Sequence, residues 1–268
     1  MSSFKDNNSI TIAFFGSTGG CTNACLALAL KNGYKASALA RTPSKLQAQL
    51  QSQGLDQTTI DNNLTIIQGD ATDVEAVKRT ITPPKNNGKM VALIISGLGG
   101  TPKLKSSLQP VTLDNPNICE KATSTILSAL EQSSTATENE KPLLAVVSTT
   151  GISNGPGDVP FFLHPVYIFL SVPHADKKKM EQMLFGNPKT STPSNQLVRG
   201  VIAVRPTLLT GDHSLASGKG WKTLKVGTEA KPALGYSIQR ADVGEWMFEE
   251  IIRQGGEKWL NEKVTLTS

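Results

Sequence analysis

Short apolar runs alternate with amphipathic stretches along most of the chain, a pattern typical of a parallel α/β sheet. The apolar runs predict strands, over Ile10–Phe15, Lys35–Ala40, Leu64–Gln68, Met90–Ile95, Leu143–Val147, Val201–Val204 and Lys263–Leu266. The amphipathic stretches predict helices, over Asn23–Lys31, Ser44–Gln53, Val74–Ile81, His174–Leu184 and Asp242–Ile252, with one more marked by Ile118, Ala122, Ile126 and Leu130. The predicted fold class is therefore α/β, a doubly wound parallel sheet of the Rossmann type.

The length of 268 residues fits one domain. The strict alternation of strands and helices weakens after Gly151. We therefore expect one Rossmann domain over 1–268, with a small C-terminal substrate-binding lobe and a pocket to which residues 151–240 contribute most.

Composition excludes several function classes. The three cysteines form no C-x-x-C pair, so neither a disulfide framework nor a metal site is expected. The net charge of +5 is dispersed, and the one lysine run is Lys177–Lys179, which does not predict nucleic-acid binding. The N-terminus is polar, and Pro160, His164 and Pro165 interrupt the longest apolar region, so we expect a cytoplasmic protein without membrane spans.

A glycine-rich turn stands between the first predicted strand and helix, and reads Gly16-Ser17-Thr18-Gly19-Gly20-Cys21-Thr22. Gly16 permits a tight turn, while Gly19 and Gly20 let the backbone approach a pyrophosphate. The helix N-terminus that follows offers free N–H groups to that anion. Thr22 stands where a third glycine is usual, so looser helix packing is expected there.

The end of the second strand carries no acidic residue, although NAD sites usually have one there to bind the ribose 2′-hydroxyl. Between Asp6 and Asp56 the chain has no Asp or Glu, and the strand ends in Arg41-Thr42-Pro43-Ser44-Lys45. The Arg41 guanidinium, the Ser44 hydroxyl and the Lys45 ammonium suit a 2′-phosphate. NADP(H) is therefore the predicted cofactor, and a solvated strand end is the alternative for Arg41.

Together these motifs resemble the atypical short-chain dehydrogenase/reductases with NmrA-like or NAD(P)H-binding domains. The resemblance rests on the glycine turn, the Arg41 segment, Gly69–Asp73, Arg205–Gly211 and Arg240–Val243, and so covers nearly the whole chain. It implies that Asp70 and Ala71 lie beside the adenine. It also implies that the loop containing Ser96, Gly97 and Leu98 runs under the nicotinamide ribose.

The catalytic pattern of that family is incomplete here. The family uses a Ser or Thr after the fifth strand, and Thr150 or Thr149 could serve, but no Tyr-x-x-x-Lys occurs. Four residues after Tyr167 stands Ser171 rather than a lysine. Alignment on the family pattern places Lys177 at the position of the motif's lysine and Pro173 at the position of the motif's tyrosine. A one-residue shift pairs His174 with Lys178, so the candidate catalytic residues are Lys177, Thr150, His174 and Tyr167.

Three functions remain open at this stage. The first is an NADPH-dependent oxidoreductase acting on a small or medium hydrophobic carbonyl-like substrate, as monomer or homodimer. The second is a non-catalytic NADP(H)-sensing regulator, which the absent Tyr-x-x-x-Lys motivates. The third is a non-redox isomerase or cyclase. An aromatic-rich stretch at 161–170 could line an apolar pocket, cover the core or form a dimer contact.

Overall fold

The structure is a computed structural model that describes residues 11–100, 102–104, 111–133, 141–186 and 194–268. The strands are β1 (Thr11–Phe15), β2 (Lys35–Ala40), β3 (Leu64–Gln68), β4 (Leu93–Ser96), β5 (Pro102–Leu104), β6 (Val111–Leu113), β7 (Leu143–Val147), β8 (Gly200–Pro206), β9 (Leu208–Thr210), β10 (Lys225–Thr228), β11 (Ser237–Gln239) and β12 (Lys263–Thr267). The helices are α1 (Gly20–Lys31), α2 (Pro43–Ser52), α3 (Gln57–Asn63), α4 (Val74–Ile81), α5 (Ile118–Ser133), α6 (His164–Phe169), α7 (Ser171–Phe185), α8 (Ser194–Leu197) and α9 (Arg240–Trp246), which a π-helical segment, Met247–Arg253, continues. Single 3₁₀ turns occur at Pro84–Asn86, Phe161–Leu163, Leu215–Ser217, Trp221–Thr223 and Glu257–Trp259.

Eight of the described strands form the central sheet in the order β10-β12-β8-β7-β4-β1-β2-β3. All neighbours are parallel except β10, which pairs antiparallel with β12. The order reverses at β1, from which the chain moves first to β2 and β3 and then across to β4. This is the doubly wound Rossmann arrangement, as the alternating pattern predicts.

Each face of the sheet carries its own helices and core. Along β1, Ile12 and Phe14 point to the face covered by α1, α9 and the π-helical segment. Ala13 and Phe15 point to the opposite face, which α4, α5 and α7 cover. Because successive side chains of a strand alternate between faces and both faces are covered, the buried strands are apolar at nearly every position.

The structure refines several predicted boundaries. Ile10 lies outside the described residues. α1 begins at Gly20, three residues before the prediction, and α7 begins at Ser171 because Pro173 is tolerated in a first helical turn. The sequence pattern did not predict α3, α6, α8 or the short strands β5, β6, β9, β10 and β11, whose polar or short segments carry little periodicity. Nor does Thr22 loosen packing: it is 1% exposed, because Gly97 leaves the space its side chain fills.

Elements from both halves of the chain share the central sheet, since β10 and β12 join it and α9 packs on α1. Among the residues described, no helix combines the length and apolarity needed to cross a membrane. Within the same ranges no cluster of His, Cys, Asp or Glu could hold a metal ion, and all three cysteines are free and buried.

Candidate active site

The glycine turn connects β1 to α1 at the carboxyl edge of the sheet. Gly16 has φ of 74°, and a side chain there would approach the Gly97 carbonyl oxygen to 2.7 Å, so only glycine fits. Gly19 precedes α1, whose N-terminus has no capping side chain and no acidic residue in its first turn. The uncapped N–H groups and the dipole of α1 therefore favour an anion at this end.

A cavity of about 270 Å³ lies beside this turn. Its walls come from the loops that follow β1, β2, β3 and β4 and from the segment before α5. The lining residues are Gly16, Thr18, Gly19, Leu39, Ala40, Arg41, Lys45, Gly69, Asp70, Ala71, Gly97, Leu98, Gly99, Gly100, Asp114, Asn115 and Ile118. Nine residues of the predicted cofactor set, from Gly16 through Leu98, thus meet in one cleft, while Asp114 and Asn115 carry no sequence motif that would have identified them.

The far end of the cleft is cationic. Arg41 and Lys45 are exposed there, on either side of the N-terminus of α2, which begins with Pro43. Asp70 also lines this end, and its carboxylate accepts hydrogen bonds from the Thr72 side chain (2.6 Å) and backbone N–H (2.9 Å). Those bonds, with a smaller contribution from the Arg41 charge, lower the pKa of Asp70, so it stays ionised.

Other predicted cofactor residues lie at the same edge but outside the cleft lining. Ser17 is buried and its hydroxyl donates to the Leu39 carbonyl. The Cys21 thiol is also buried, which raises its pKa to about 12, so the helix offers only its backbone at that position. A side chain at Gly20 would collide with Arg240, so this glycine makes room for Arg240. Ser96 is buried, Thr149 is half-buried and Ser44 is exposed.

Lys177 reaches from α7 to the cofactor edge. Its ammonium donates to the carbonyl of Leu98 (2.7 Å) and to that of Val147. It therefore links the loop after β4 to the end of β7. The neighbouring Asp176 accepts the backbone N–H groups of Cys119 and Glu120, both at 2.9 Å, so it caps α5 and is not placed as a catalytic acid.

Thr150 and Tyr167 form a buried hydroxyl pair. Their side-chain oxygens lie 2.7 Å apart, with Thr150 just past β7 and Tyr167 on α6. Burial raises the pKa of Tyr167, and the Asp158 charge raises it further, while the Thr150 hydrogen bond opposes both. Tyr167 is therefore a protonated donor at neutral pH.

His174 packs its ring on Tyr167, with centroids 5.1 Å apart. Burial lowers the pKa of His174 to about 4, so the imidazole is neutral near pH 7. Lys178, its partner in the shifted register, is exposed. His174 thus faces Tyr167 rather than a lysine.

These rings line a second cavity of about 520 Å³. Its lining residues are Gly151, Ser153, Gly157, Asp158, Val159, His164, Tyr167 and His174. Phe161 and Phe162 stand beside it, 78% and 80% exposed, which places the aromatic-rich stretch partly at a surface. All eight lining residues fall within the 151–240 segment.

A buried ion network that the sequence did not reveal supports this region. Arg205, 1% exposed, donates from Nε and Nη2 to the two oxygens of Glu181 at 2.9 and 2.5 Å. Its Nη1 lies 3.0 Å from Glu229, which also pairs with Lys263 at 2.7 Å. Ser148, two residues before Thr150, donates to Glu181. The hydrogen bonds and ion pairs of this network thus connect the end of β7 to α7 and β8.

A family model described as NAD(P)H-binding matches residues 16–253, which include the glycine turn, the cationic end and both cavities. The chain belongs to the NAD(P)H-binding family. This membership fits the resemblance to atypical short-chain dehydrogenase/reductases drawn from the motifs.

The cleft also fits a dinucleotide on its own geometry. Gly99 faces open space where another residue would carry a side chain, which allows close approach of a ligand. The uncapped N-terminus of α1 suits a pyrophosphate, and the two cations, Arg41 and Lys45, suit further phosphate.

Two curated fungal proteins resemble this NAD(P)H-binding chain along nearly their whole length. The oxidase pynE of Aspergillus niger is 48% identical, with 96% of this chain and 98% of that protein covered. The reductase pytE of Aspergillus terreus is 43% identical, with 96% and 97% covered.

Solved structures share the fold at low sequence identity. A short-chain dehydrogenase/reductase of Veillonella parvula in complex with NADP superposes with a TM-score of 0.65 at 12% identity, covering 97% of this chain and 94% of that one. ChuY of Escherichia coli O157:H7, an anaerobillin reductase, gives 0.63 at 19% identity, with 96% of each chain covered. At such identity the likeness shows the fold alone.

Proposed function

We propose that this chain is an NADP(H)-dependent oxidoreductase acting on a small or medium hydrophobic carbonyl-like substrate. The observation that carries the proposal is the Thr150–Tyr167 hydroxyl pair, in which Tyr167 lines the second cavity and Thr150 follows β7 at the sheet edge that also forms the dinucleotide cleft. A bound nicotinamide would supply or accept the hydride. The relatives, one an oxidase and one a reductase, support redox chemistry.

Within this proposal the chain provides the proton and the substrate's orientation. Tyr167 keeps its proton at neutral pH and donates it to the oxygen of the substrate. Thr150 fixes the phenol through the 2.7 Å bond, and the neutral ring of His174 packs against it. Lys177 holds the Leu98 loop, which lines the cofactor cleft.

The hydroxyl pair favours this function over the other two. A sensor that only binds dinucleotide needs no buried proton donor, whereas Tyr167 is held in hydrogen-bond contact with Thr150 beside a cavity. An isomerase on this fold would convert substrate without net consumption of NADPH, so the cofactor balance of the reaction separates it from the proposed oxidoreductase.

The preference for NADP(H) over NAD(H) rests on Arg41 and Lys45 at the end of the cleft. In Arg41→Ala we expect the affinity for NADPH to fall about tenfold or more toward that for NADH, since hydrogen bonds to charged groups contribute about 1.5–3 kcal/mol. Calorimetric titration of both proteins with NADPH and NADH measures this. Equal loss for both dinucleotides would contradict a 2′-phosphate contact.

The redox proposal is tested with Tyr167→Phe, which removes one hydroxyl and keeps the ring. We expect kcat to fall about 10²- to 10⁴-fold, the usual contribution of a positioned general acid, with NADPH affinity unchanged. The assay follows NADPH absorbance with a panel of aromatic ketones and vicinal diketones, and NADP+ reduction with the matching alcohols. Unchanged turnover would remove Tyr167 from the mechanism, and dinucleotide binding without turnover on either panel would favour the sensor.

A further inference from the structure

Asp158 is a buried acid in the wall of the second cavity with one oxygen left free. The residue is 3% exposed, and its Oδ1 accepts the Gly151 N–H at 2.9 Å. Its Oδ2 is buried, and none of the described residues provides it with a hydrogen-bond partner. Since a buried oxygen without a partner carries the full desolvation cost, the cavity is expected to receive a group that satisfies it.

Gly151 brings Asp158 and the hydroxyl pair to the same place. The Gly151 N–H donates to Asp158. Gly151 has a φ of +85° and no side chain, which leaves room for the Tyr167 ring: an added Cβ would lie 2.4 Å from a ring carbon of Tyr167. Asp158 and Tyr167 therefore stand on either side of one backbone position. Burial raises the pKa of Tyr167, and a negative charge on Asp158 adds to that rise.

The surrounding charges leave this carboxylate in excess. Arg205 and Lys263 are the two cations of the adjoining network, and Glu181 and Glu229 already pair with them at 2.5–3.0 Å. Asp158 adds a third carboxyl group, which forms no ion pair with any residue that the structure describes. Burial raises the pKa of Asp158, while the Gly151 N–H and the Arg205 charge oppose that shift. A hydrogen-bond donor suits such a site better than an acceptor, which would repel the free oxygen.

We propose that Asp158 is the specificity-determining residue of the substrate pocket, where its Oδ2 accepts a hydrogen bond from an N–H or O–H group close to the reacting carbonyl, in the same ring or chain. The inference rests on the proposed function, because it takes the second cavity as the substrate's. The substrate class is thus an apolar carbonyl compound with an adjacent donor, such as a cyclic amide or an enol. The exposed Phe161 and Phe162 beside the cavity suit the apolar body of such a molecule.

Asp158→Asn tests this at a single atom. The Gly151 N–H still needs an acceptor, so the amide oxygen takes the Oδ1 position and the NH₂ group replaces Oδ2. The change keeps the shape of the side chain and turns an acceptor into a donor. Asp61→Asn is the matched control for the loss of one negative charge, because Asp61 is an exposed residue of α3 that lines neither cavity.

The probes are isatin, which has a ring N–H beside its dicarbonyl, and N-methylisatin, which lacks it. Binding to the NADP+-loaded protein is measured by calorimetry, and turnover is followed with NADPH. We expect the native protein and Asp61→Asn to bind isatin about tenfold or more tightly than N-methylisatin, and Asp158→Asn to lose that preference by weaker binding of isatin.

Three results would overturn the inference. They are equal binding of the two probes by the native protein, no binding of isatin, or a preference that persists in the isosteric Asp158→Asn, which would mean that the methyl group is excluded by shape. The comparison of the two probes on the native protein tests the inference even if the variant does not fold.

If both probes are reduced equally, the oxidoreductase proposal survives and the role of Asp158 fails. If isatin binds through its N–H without NADPH oxidation, the role of Asp158 survives and the oxidoreductase proposal fails.

Discussion

Replacement of Glu181 by Gln is expected to destabilise the protein far more than the same change at a surface ion pair. Glu181 is 6% exposed and receives two hydrogen bonds from Arg205, whose side chain is 1% exposed. Glutamine keeps the shape but leaves a buried guanidinium short of one negative charge. Removal of one partner from a buried pair typically costs about 3–5 kcal/mol.

The lower end of that range applies here because Glu229 remains 3.0 Å from Arg205 Nη1. A loss of about 3 kcal/mol in the free energy of unfolding corresponds to a fall in Tm of about 6–12 °C for a domain of this size. The control is Glu257→Gln, which breaks the Arg199–Glu257 pair, where the two side chains are 25% and 63% exposed. Exposed pairs contribute about 0–1 kcal/mol, so this variant should melt within a few degrees of the native protein.

Thermal denaturation followed by circular dichroism, with urea unfolding at fixed temperature, measures both variants. The reasoning is refuted if Glu181→Gln and Glu257→Gln lower Tm by the same amount. Such equality would mean that the network around Arg205 relaxes or admits water when one charge is lost.

Two further predictions concern the second cavity. In Gly151→Ala, the added Cβ would approach the Tyr167 ring to 2.4 Å, at a φ of +85° that favours glycine. We expect turnover to fall and the affinity for NADPH, measured by calorimetry, to be retained. Loss of both turnover and NADPH affinity would contradict a local effect. Burial lowers the pKa of His174 to about 4 in the folded protein, whereas the unfolded chain keeps the ordinary value of about 6.5. Between these two values the unfolded chain binds a proton that the folded protein does not. The free energy of unfolding should therefore fall as the pH drops from 6.5 to 4. In His174→Asn the fall in Tm from pH 6.5 to pH 4 should be smaller, and an unchanged pH profile would show that His174 is not buried as neutral imidazole.

The fold could be predicted from the sequence where burial imposes a regular period. Strands such as Leu143–Val147 are apolar at every position because helices cover both faces, and this fixed their bounds closely. The missed elements lack that signal. The edge strand β10 has exposed residues at Lys225 and Val226, and α3 is a polar helix with one buried residue, Ile60.

The cofactor cleft was more predictable than the substrate pocket for a related reason. Gly16, Arg41 and Asp70 each follow a strand, so their order in the chain fixes their position at one edge of the sheet. Asp158 lies in an irregular glycine-containing loop, and its pairing with the Gly151 N–H depends on how that loop folds back. No spacing rule connects Tyr167, on its own short helix, to Thr150.

The separation of Tyr167 from Lys177 bears on the proton transfer of the proposed chemistry. In Tyr-x-x-x-Lys enzymes the two side chains share one helix face, and the ammonium lowers the pKa of the phenol so that it can also act as a base. Here Tyr167 lies on α6, while Lys177 on α7 is engaged by the carbonyls of Leu98 and Val147. Burial raises the pKa of the phenol, and the Asp158 charge raises it further, while the Thr150 hydrogen bond opposes both. A phenol held in its protonated form can donate its proton to the substrate oxygen, which is the role that the proposed carbonyl reduction requires.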